Sequence, residues 1–383
     1  MGTIPAFFEK SEQDLLAFDA ICSQQTELFA YSFADRVEKN VVIYNGSRMR
    51  SVLTAGDQEY ALRSEINKCL STGPGVLVIK KAYPDLDIID AVTDLFKVII
   101  RQEKAAGKKG GDHFGANERI WNSLQKVCVM DPALFIGYYG DALLAFMSRA
   151  WLGPHYQITA QVNNVKPGSA SQSPHRDYHL GFQAEAVVAQ FPAQIQMMSQ
   201  YLTLQGAIAH TDMPLLSGPT LLLPFSQQFP SGYMRYRDPD FVAYFEENHV
   251  QLPLEKGDAI YFSPALFHGA GANQSDADRL ANLVQISSAF GRPMETVNRD
   301  VMIDAVYPVL VDQRESMDEC AARDVIAAIS DGYSFPTNLD TDPPTGGNAP
   351  VTAQQFVYNA LSKGWSMEQL RSTLDLYAKR RVA

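Results

Sequence analysis

The chain has 383 residues, 46% of them hydrophobic and 20% charged, with a formal net charge of −11 and a pI near 5.1. That length can bury one large core with helical additions at both ends, and the composition excludes a disordered chain. The acidic balance, without a run of five or more Lys and Arg, excludes the footprint of a nucleic-acid or anionic-membrane binder.

Cys22, Cys69, Cys128 and Cys320 are isolated from one another, which fits neither a disulfide framework nor paired zinc ligands, so they read as thiols of a reducing compartment. Glu9 and Lys10 precede any apolar stretch fit for a signal peptide, and no window approaches about 18 uninterrupted apolar residues. Met1-Gly2 opens like a myristoylation site, but Ala6 stands where Ser or Thr is required. A soluble, cytoplasmic protein is expected.

From Ser11 to Lys104 the pattern predicts a helical shell, with helices near residues 12–30 and 86–104 and a strand at Val76 to Ile79. Gly107-Lys108-Lys109-Gly110-Gly111 marks a candidate lid, followed by Asp112, His113 and Arg119. Residues 133–152 carry helical periodicity behind Asp131-Pro132. From about Tyr156 to Ser288 short β-type runs take over: Gln157 to Val165, Ala186 to Phe191, Met198 to Ala209, Thr220 to Leu223, Ala259 to Ser263 and Leu280 to Ser287. Such a series predicts a jelly roll or barrel. After Pro308 the chain returns to helix at Ser316 to Ser330 and Thr352 to Lys363. The expected organisation is an N-terminal helical shell with the first strands over 1–152, a jelly-roll catalytic core over 153–300 and a C-terminal helical extension over 301–383, all one catalytic domain. The apolar faces of Gln354 to Leu361 and Met367 to Arg380 suit either covering the barrel or pairing subunits as a homo-oligomer.

His175-Arg176-Asp177 sets an imidazole and a carboxylate two residues apart, on one face of an extended backbone. His268 follows the apolar strand Ala259-Ile260-Tyr261-Phe262. Two His and one carboxylate make the facial triad of non-haem Fe(II) oxygenases, with three coordination positions left for a chelating oxo-acid and dioxygen. A second pair, His210-Thr211-Asp212, competes with the first. Only two strand candidates separate it from His268, against four for the first pair, so Asp212 reads as a loop organiser before Met213-Pro214. Taken singly, a surface His175 beside a salt-bridging Asp177 and a hydrogen-bonding His268 are the blander readings. Arg279, at the start of the last apolar strand, defeats them jointly. Alternation sets Arg279, Gln285 and Ser287 on one face and Leu280, Val284 and Ile286 on the other, and a buried guanidinium needs an anion.

Pro174-His175-Arg176-Asp177, then Asp212-Met213-Pro214 through Ser217-Gly218-Pro219-Thr220 to Leu223-Pro224-Phe225-Ser226, then Gly257-Asp258 to His268-Gly269-Ala270-Gly271-Ala272-Asn273 and Arg279, resemble the phytanoyl-CoA dioxygenase family in order and spacing. The resemblance runs from about Gly73 to about Ser288. It implies a double-stranded β-helix (jelly roll, cupin-like) core, Fe(II) at His175, Asp177 and His268, 2-oxoglutarate anchored by Arg279, and dioxygen as oxidant. Small-molecule oxidation with release of succinate and CO2 is the implied activity. Where the family often carries Gly-Ser-His, this chain has Pro224-Phe225-Ser226-Gln227, and no contact of that His carries over. In the halogenase variant Gly or Ala replaces the metal carboxylate, so Asp177 points to a hydroxylase rather than a halogenase, with desaturation or cyclisation started by the same hydrogen abstraction left open beside hydroxylation.

Gln161 and Asn163 share strand parity, and Gln172 and Asn273 lie near the metal residues, so each is a candidate contact of 2-oxoglutarate or substrate, weighed against ordinary jelly-roll polar positions. His179 continues the face of His175 and Asp177 but reads as a hydrogen-bonding His. His113 and Arg119 read as a solvated loop, and Tyr178 and Phe182 as core packing. The competing readings are a cupin-type iron oxygenase that takes no 2-oxoglutarate and a non-catalytic barrel acting as sensor or scaffold. The substrate is not written in the sequence; phosphate-binding cations for an acyl-CoA are missing apart from Lys108 and Lys109.

Overall fold

A computed structural model describes residues 4–107, 117–335, 338–344 and 346–382; the candidate lid and His113 lie outside the described residues, as do Lys108 and Lys109. Ten strands are described: β1 (Arg36–Glu38), β2 (Val41–Asn45), β3 (Val76–Lys80), β4 (Glu118–Ile120), β5 (Gln157–Val165), β6 (Thr203–Ala209), β7 (Leu221–Leu223), β8 (Ala259–Phe262), β9 (Phe267–Gly269) and β10 (Arg279–Ser287). Eight form one sheet in the order β1-β2-β3-β8-β6-β10-β5-β4, in which β2 and β3 run parallel and β8 antiparallel to β3 and β6. The second layer is small. It consists of β7 paired with β9, widened by single-residue bridges of Leu222 to Val250 and of His268 to His175.

Alternation assigns the two faces of the large sheet. Val41, Ile43, Val76, Val78, Ala207, Ala209, Ile260 and Phe262 point inward and pack with Leu222, Leu252, Leu254 and Leu266. The jelly-roll core expected from the sequence is present. Helices nevertheless hold about 46% of the described residues and strands 15%.

The chain divides into two compact units, one comprising the residues up to Trp121 with Ala160–Ile286, the other Asn122–Thr159 with the residues from Ser287 onward. The first unit holds the core just described. The second is mainly helical, with helices at Ser123–Met130, Pro132–Tyr139, Ala142–Leu152, Arg299–Gln313, Glu319–Ile329, Ala353–Lys363 and Met367–Arg380. Thr352 and Ser366 each close a reciprocal capping box, which explains why the last two helices start where they do. Val357, Ala360 and Leu361 are buried, so this apolar face is already covered by the chain itself.

Several expected elements differ. Ala186 to Phe191 is not a strand: the helix Glu185–Val188 occupies its start, and the Gln196 side chain binds the carbonyls of Val188 and Phe191, giving that backbone a local hydrogen-bond partner. Pro192 then caps the helix Ala193–Ser199, so the strand expected from Met198 begins only at Thr203. The helix expected over 133–152 is two, because the Asp141 carboxylate caps a fresh start by accepting from the amides of Leu143 and Leu144. Helix resumes not after Pro308 but at Arg299, with Pro308 inside it.

The outer face of the sheet settles the competing His pair. His210 is buried against the helix Leu86–Ala105, with its Nδ1 2.8 Å from Thr93 Oγ1 and its ring 5.0 Å from that of Phe96. Asp212 Oδ1 accepts from the Lys256 amide at 2.9 Å, the loop-organising role expected. A cavity of about 650 Å³ opens on this outer side, lined among others by Lys97, Arg101, Lys104, Lys166 and Lys256, and none of His175, Asp177 and His268 borders it.

Burial lowers the His210 pKa to about 3, Asp90 opposing and Lys256 adding to the shift. Between an unfolded value near 6.5 and that folded value the unfolded chain binds the extra proton, so stability falls with falling pH across this window, by on the order of 1 kcal/mol per pH unit from this group. Urea denaturation at pH 7 and pH 5 is expected to show a smaller loss in His210→Gln than in the unsubstituted chain. Equal losses would remove His210 as the cause.

Candidate metal centre

Residues 93 positions apart meet through a backbone pairing. The His175 amide donates to the His268 carbonyl at 2.9 Å and the His268 amide to the His175 carbonyl at 3.2 Å. This is the closely bonded pair of an antiparallel ladder, whose side chains leave on the same face. The rings stand 4.4 Å apart, and the i, i+2 alternation brings Asp177 to the same side.

Each imidazole is oriented from behind. Nδ1 of His175 lies 3.1 Å from the Ser173 carbonyl and Nδ1 of His268 lies 2.8 Å from the Leu266 carbonyl. A carbonyl only accepts, so both Nδ1 atoms carry the proton and both Nε2 atoms keep a lone pair. Those atoms face Asp177, at 3.9 Å from His175 to Oδ1 and 3.5 Å from His268 to Oδ2. One ligand atom from each of the three residues lies within 4.8 Å of the others. Side-chain exposure is 30% for His175, 18% for Asp177 and 7% for His268, so the cluster opens on the His175 side.

Electrostatics fit a cation. Burial alone would raise the Asp177 pKa, but the nearby imidazoles of His175 and His268 and a hydrogen bond from Gln205 outweigh it and hold the carboxyl well below the usual carboxylate range. His175 is shifted down by burial and by His268, so it is neutral at pH 7, the form that donates a lone pair. Two imidazoles and one carboxylate form a borderline donor set that suits Fe(II) and leaves coordination positions open.

Arg279 is buried at the start of β10. Its Nη1 donates to the carbonyls of Ser217 at 3.0 Å and Gly271 at 3.3 Å. Gly218, with φ +70°, allows this approach, because a Cβ there would lie 2.2 Å from the Ala272 carbonyl oxygen. Burial lowers the guanidinium to about 10, which leaves it charged, and among the described residues no carboxylate pairs with it. Ala281 and Leu283, on the same inward face, remain only partly buried against the core.

Gln161 and Asn163 lie buried on β5, where Gln161 Oε1 accepts from Arg119 Nη1 at 3.2 Å. Arg119 is thus part of β4 rather than of a loop, opposite Asn163 in register and 5.0 Å over the Trp121 ring. Gln161 Nε2 and Asn163 Oδ1 have no hydrogen-bond partner among the described residues. Gln172 is half-buried, its Oε1 accepting from the Ala270 amide at 3.0 Å. Asn273 ties its loop to the end of β5, donating to the carbonyls of Val165 and Ala277 and accepting from Ser275. His179 stands beside the site with its amide on Ser199 Oγ at 3.0 Å. Tyr178 is buried as expected, but Phe182 is 54% exposed and packs no core.

Gln205 on β6 is the residue the sequence reading missed. Its Nε2 makes a short hydrogen bond to Asp177 Oδ2, fixing the carboxylate from the large sheet. The signal was present as an amide on the inward parity of an otherwise apolar strand.

Residues 72–281, more than half of the chain, match the profile of the phytanoyl-CoA dioxygenase family, and the chain belongs to that family. The family uses Fe(II), 2-oxoglutarate and dioxygen. Among individual relatives, dioxygenase cdmD of Talaromyces verruculosus is 28% identical over 147 residues, 38% of this chain and 43% of that one. Dioxygenase olcK of Penicillium canescens is 24% identical over 233 residues, 58% of this chain and 70% of that one. The match to cdmD thus spans less than half of that relative's length. A solved structure, the non-haem alpha-ketoglutarate-dependent carbocyclase SnoK from nogalamycin biosynthesis, aligns with a TM-score of 0.42 at 17% identity, covering 56% of this chain and 80% of that one.

Replacing an outer partner of a metal ligand weakens metal affinity by roughly 10- to 100-fold. Gln205→Leu is expected to weaken Fe(II) binding in this range under anaerobic calorimetry, and His268→Ala to abolish it. An unchanged isotherm in His268→Ala would remove the triad as the metal site.

Proposed function

We propose that this protein is an Fe(II)- and 2-oxoglutarate-dependent dioxygenase that hydroxylates a small-molecule substrate and releases succinate and CO2. The observation that carries the reading is the pairing of a His-Asp-His cluster, whose lone pairs converge, with a buried arginine that has only carbonyl partners. In this reading His175, Asp177 and His268 hold the metal, and Arg279 pairs with the distal carboxylate of 2-oxoglutarate. Iron, 2-oxoglutarate and dioxygen together supply, when bound, the oxidising power that removes hydrogen from a substrate carbon.

The chain's own part is to orient and to shield. The Nδ1 bonds to Ser173 and Leu266 hold both imidazoles in the ligating tautomer, and Gln205 fixes the carboxylate. A guanidinium with no anion among the described residues is completed by a dicarboxylate in two-point contact. The partial exposure of Ala281 and Leu283 on the inward face of β10 supports a ligand lying along that strand. Gln161 Nε2, a buried donor, and Asn163 Oδ1, a buried acceptor, support contacts to oxygen and hydroxyl groups of 2-oxoglutarate or substrate, with Gln172 beside them. Intact Asp177 favours hydroxylation over halogenation. Four free cysteines support a reducing, cytoplasmic setting, and among the described residues no helix is long and apolar enough to cross a membrane.

Anaerobic addition of Fe(II) and then 2-oxoglutarate to metal-free protein is expected to produce the weak visible charge-transfer band of chelated 2-oxoglutarate. Truncating one partner of a buried charge pair costs about 2–5 kcal/mol, so Arg279→Ala should weaken 2-oxoglutarate at least about 30-fold. No band despite Fe(II) binding would shift the assignment to an iron oxygenase that takes no 2-oxoglutarate, and no metal binding would favour a scaffold.

A further inference from the structure

Arg176 separates the two metal-binding residues and, by alternation, points away from them. It is 1% exposed and the largest fully buried side chain of the described protein. A guanidinium so far from water calls for a carboxylate, yet among the described residues none pairs with it. Its Nη2 donates to the carbonyls of Ser226 at 2.5 Å and Phe229 at 3.0 Å, while Nε and Nη1 make no hydrogen bond. The rings of Tyr233 and Phe267 flank it, each centroid 5.2 Å from Cζ. Gly232 closes the remaining side, where a Cβ would lie 2.0 Å from Cζ.

Each of these contacts leads to a metal residue. Phe267 precedes His268, and its amide donates to Ser226 Oγ at 2.8 Å, so one serine receives both Arg176 and the strand that carries His268. Tyr233 Oη donates to the carbonyls of Asp177 at 3.2 Å and Tyr178 at 2.8 Å. Tyr178 has φ +31°, an uncommon conformation for a side-chain-bearing residue, so the turn that follows Asp177 is strained and is held from outside. Tyr236 Oη adds a bond to the Gly181 carbonyl at 2.7 Å.

Resting on the metal reading above, we propose that Arg176 is a positioning residue: it latches the 226–236 segment onto both ligand-bearing stretches and so sets the affinity of the His175–Asp177–His268 cluster for its metal. An apolar side chain in its place leaves the carbonyls of Ser226 and Phe229 without their donor, so stability falls as well, and metal affinity is the property that separates orientation of the ligands from general loosening.

The test compares unsubstituted protein with Arg176→Met, Arg176→Lys and Tyr233→Phe, each checked for thermal unfolding without metal, then titrated anaerobically with Fe(II) and with 2-oxoglutarate. Arg176→Met, which keeps an apolar stem and loses charge and donors, is expected to unfold cooperatively at a lower temperature, because the carbonyls of Ser226 and Phe229 lose their donor. It should bind Fe(II) roughly 10- to 100-fold more weakly and show a shifted or missing charge-transfer band. Arg176→Lys should not rescue either property, because an ammonium cannot span Ser226 and Phe229 between two rings. If Arg176→Met does not fold, Tyr233→Phe decides, with a loss in Fe(II) affinity of threefold or more expected. Fe(II) affinity and band within twofold of the unsubstituted protein, even with a lowered unfolding temperature, would overturn the positioning role and leave the metal centre standing. Unsubstituted protein that takes up no Fe(II) would overturn both.

Discussion

The paired hydrogen bonds between the backbones of His175 and His268 are the constraint on which the site depends. Once these two residues sit opposite each other in a ladder, both imidazoles must leave the same face and Asp177 must follow. Strands β7 and β9 supply the small layer that makes the pairing possible, and the large sheet supplies Gln205 from across the interior. The ligand geometry is therefore a property of strand register, fixed by main-chain bonds before any ion arrives.

Charge is distributed unevenly around that pairing. The cluster itself holds one carboxylate and two imidazoles; behind it is Arg176, held by carbonyls and ring faces; on the inward surface of the large sheet is Arg279, which donates to carbonyls. Two buried cations with no carboxylate partner among the described residues are expensive. They have different outlets. Arg279 shares its face with residues left open to a ligand, whereas Arg176 is enclosed by Gly232, Tyr233 and Phe267 and acts only on the chain.

Much of this was legible in the sequence because strand periodicity is so short. His175, Asp177 and His268 could be read from the i, i+2 spacing and from a His just beyond an apolar strand, and Arg279 from its position at the head of the last one. The rejection of His210–Asp212 rested on counting strands, and the structure turns His210 to the opposite face of the sheet. What escaped was long-range or locally satisfied. Gln205 looks like any polar residue in a strand until its partner 28 positions away is known. Ala186 to Phe191, with Val187 and Val188 at its start, reads as a strand, but Gln196 gives the carbonyls of Val188 and Phe191 a local donor. Pro308 was taken for a boundary because proline usually ends helices, yet the helix Arg299–Gln313 accommodates it.

The thinness of the small layer bears on the order in which the protein folds. Strands β7 and β9 are three residues each, and the pairing of His175 with His268 is a single bridge closing a loop of 93 residues. Closing so long a loop costs about 4 kcal/mol of chain entropy, repaid only when the surrounding layers are already in place. The large sheet and its helices can condense around local and sheet-to-sheet contacts first, with the His-Asp-His seam zipped last. On the metal-binding reading proposed above, a cluster that forms only when this seam closes meets its ion after the layers have condensed.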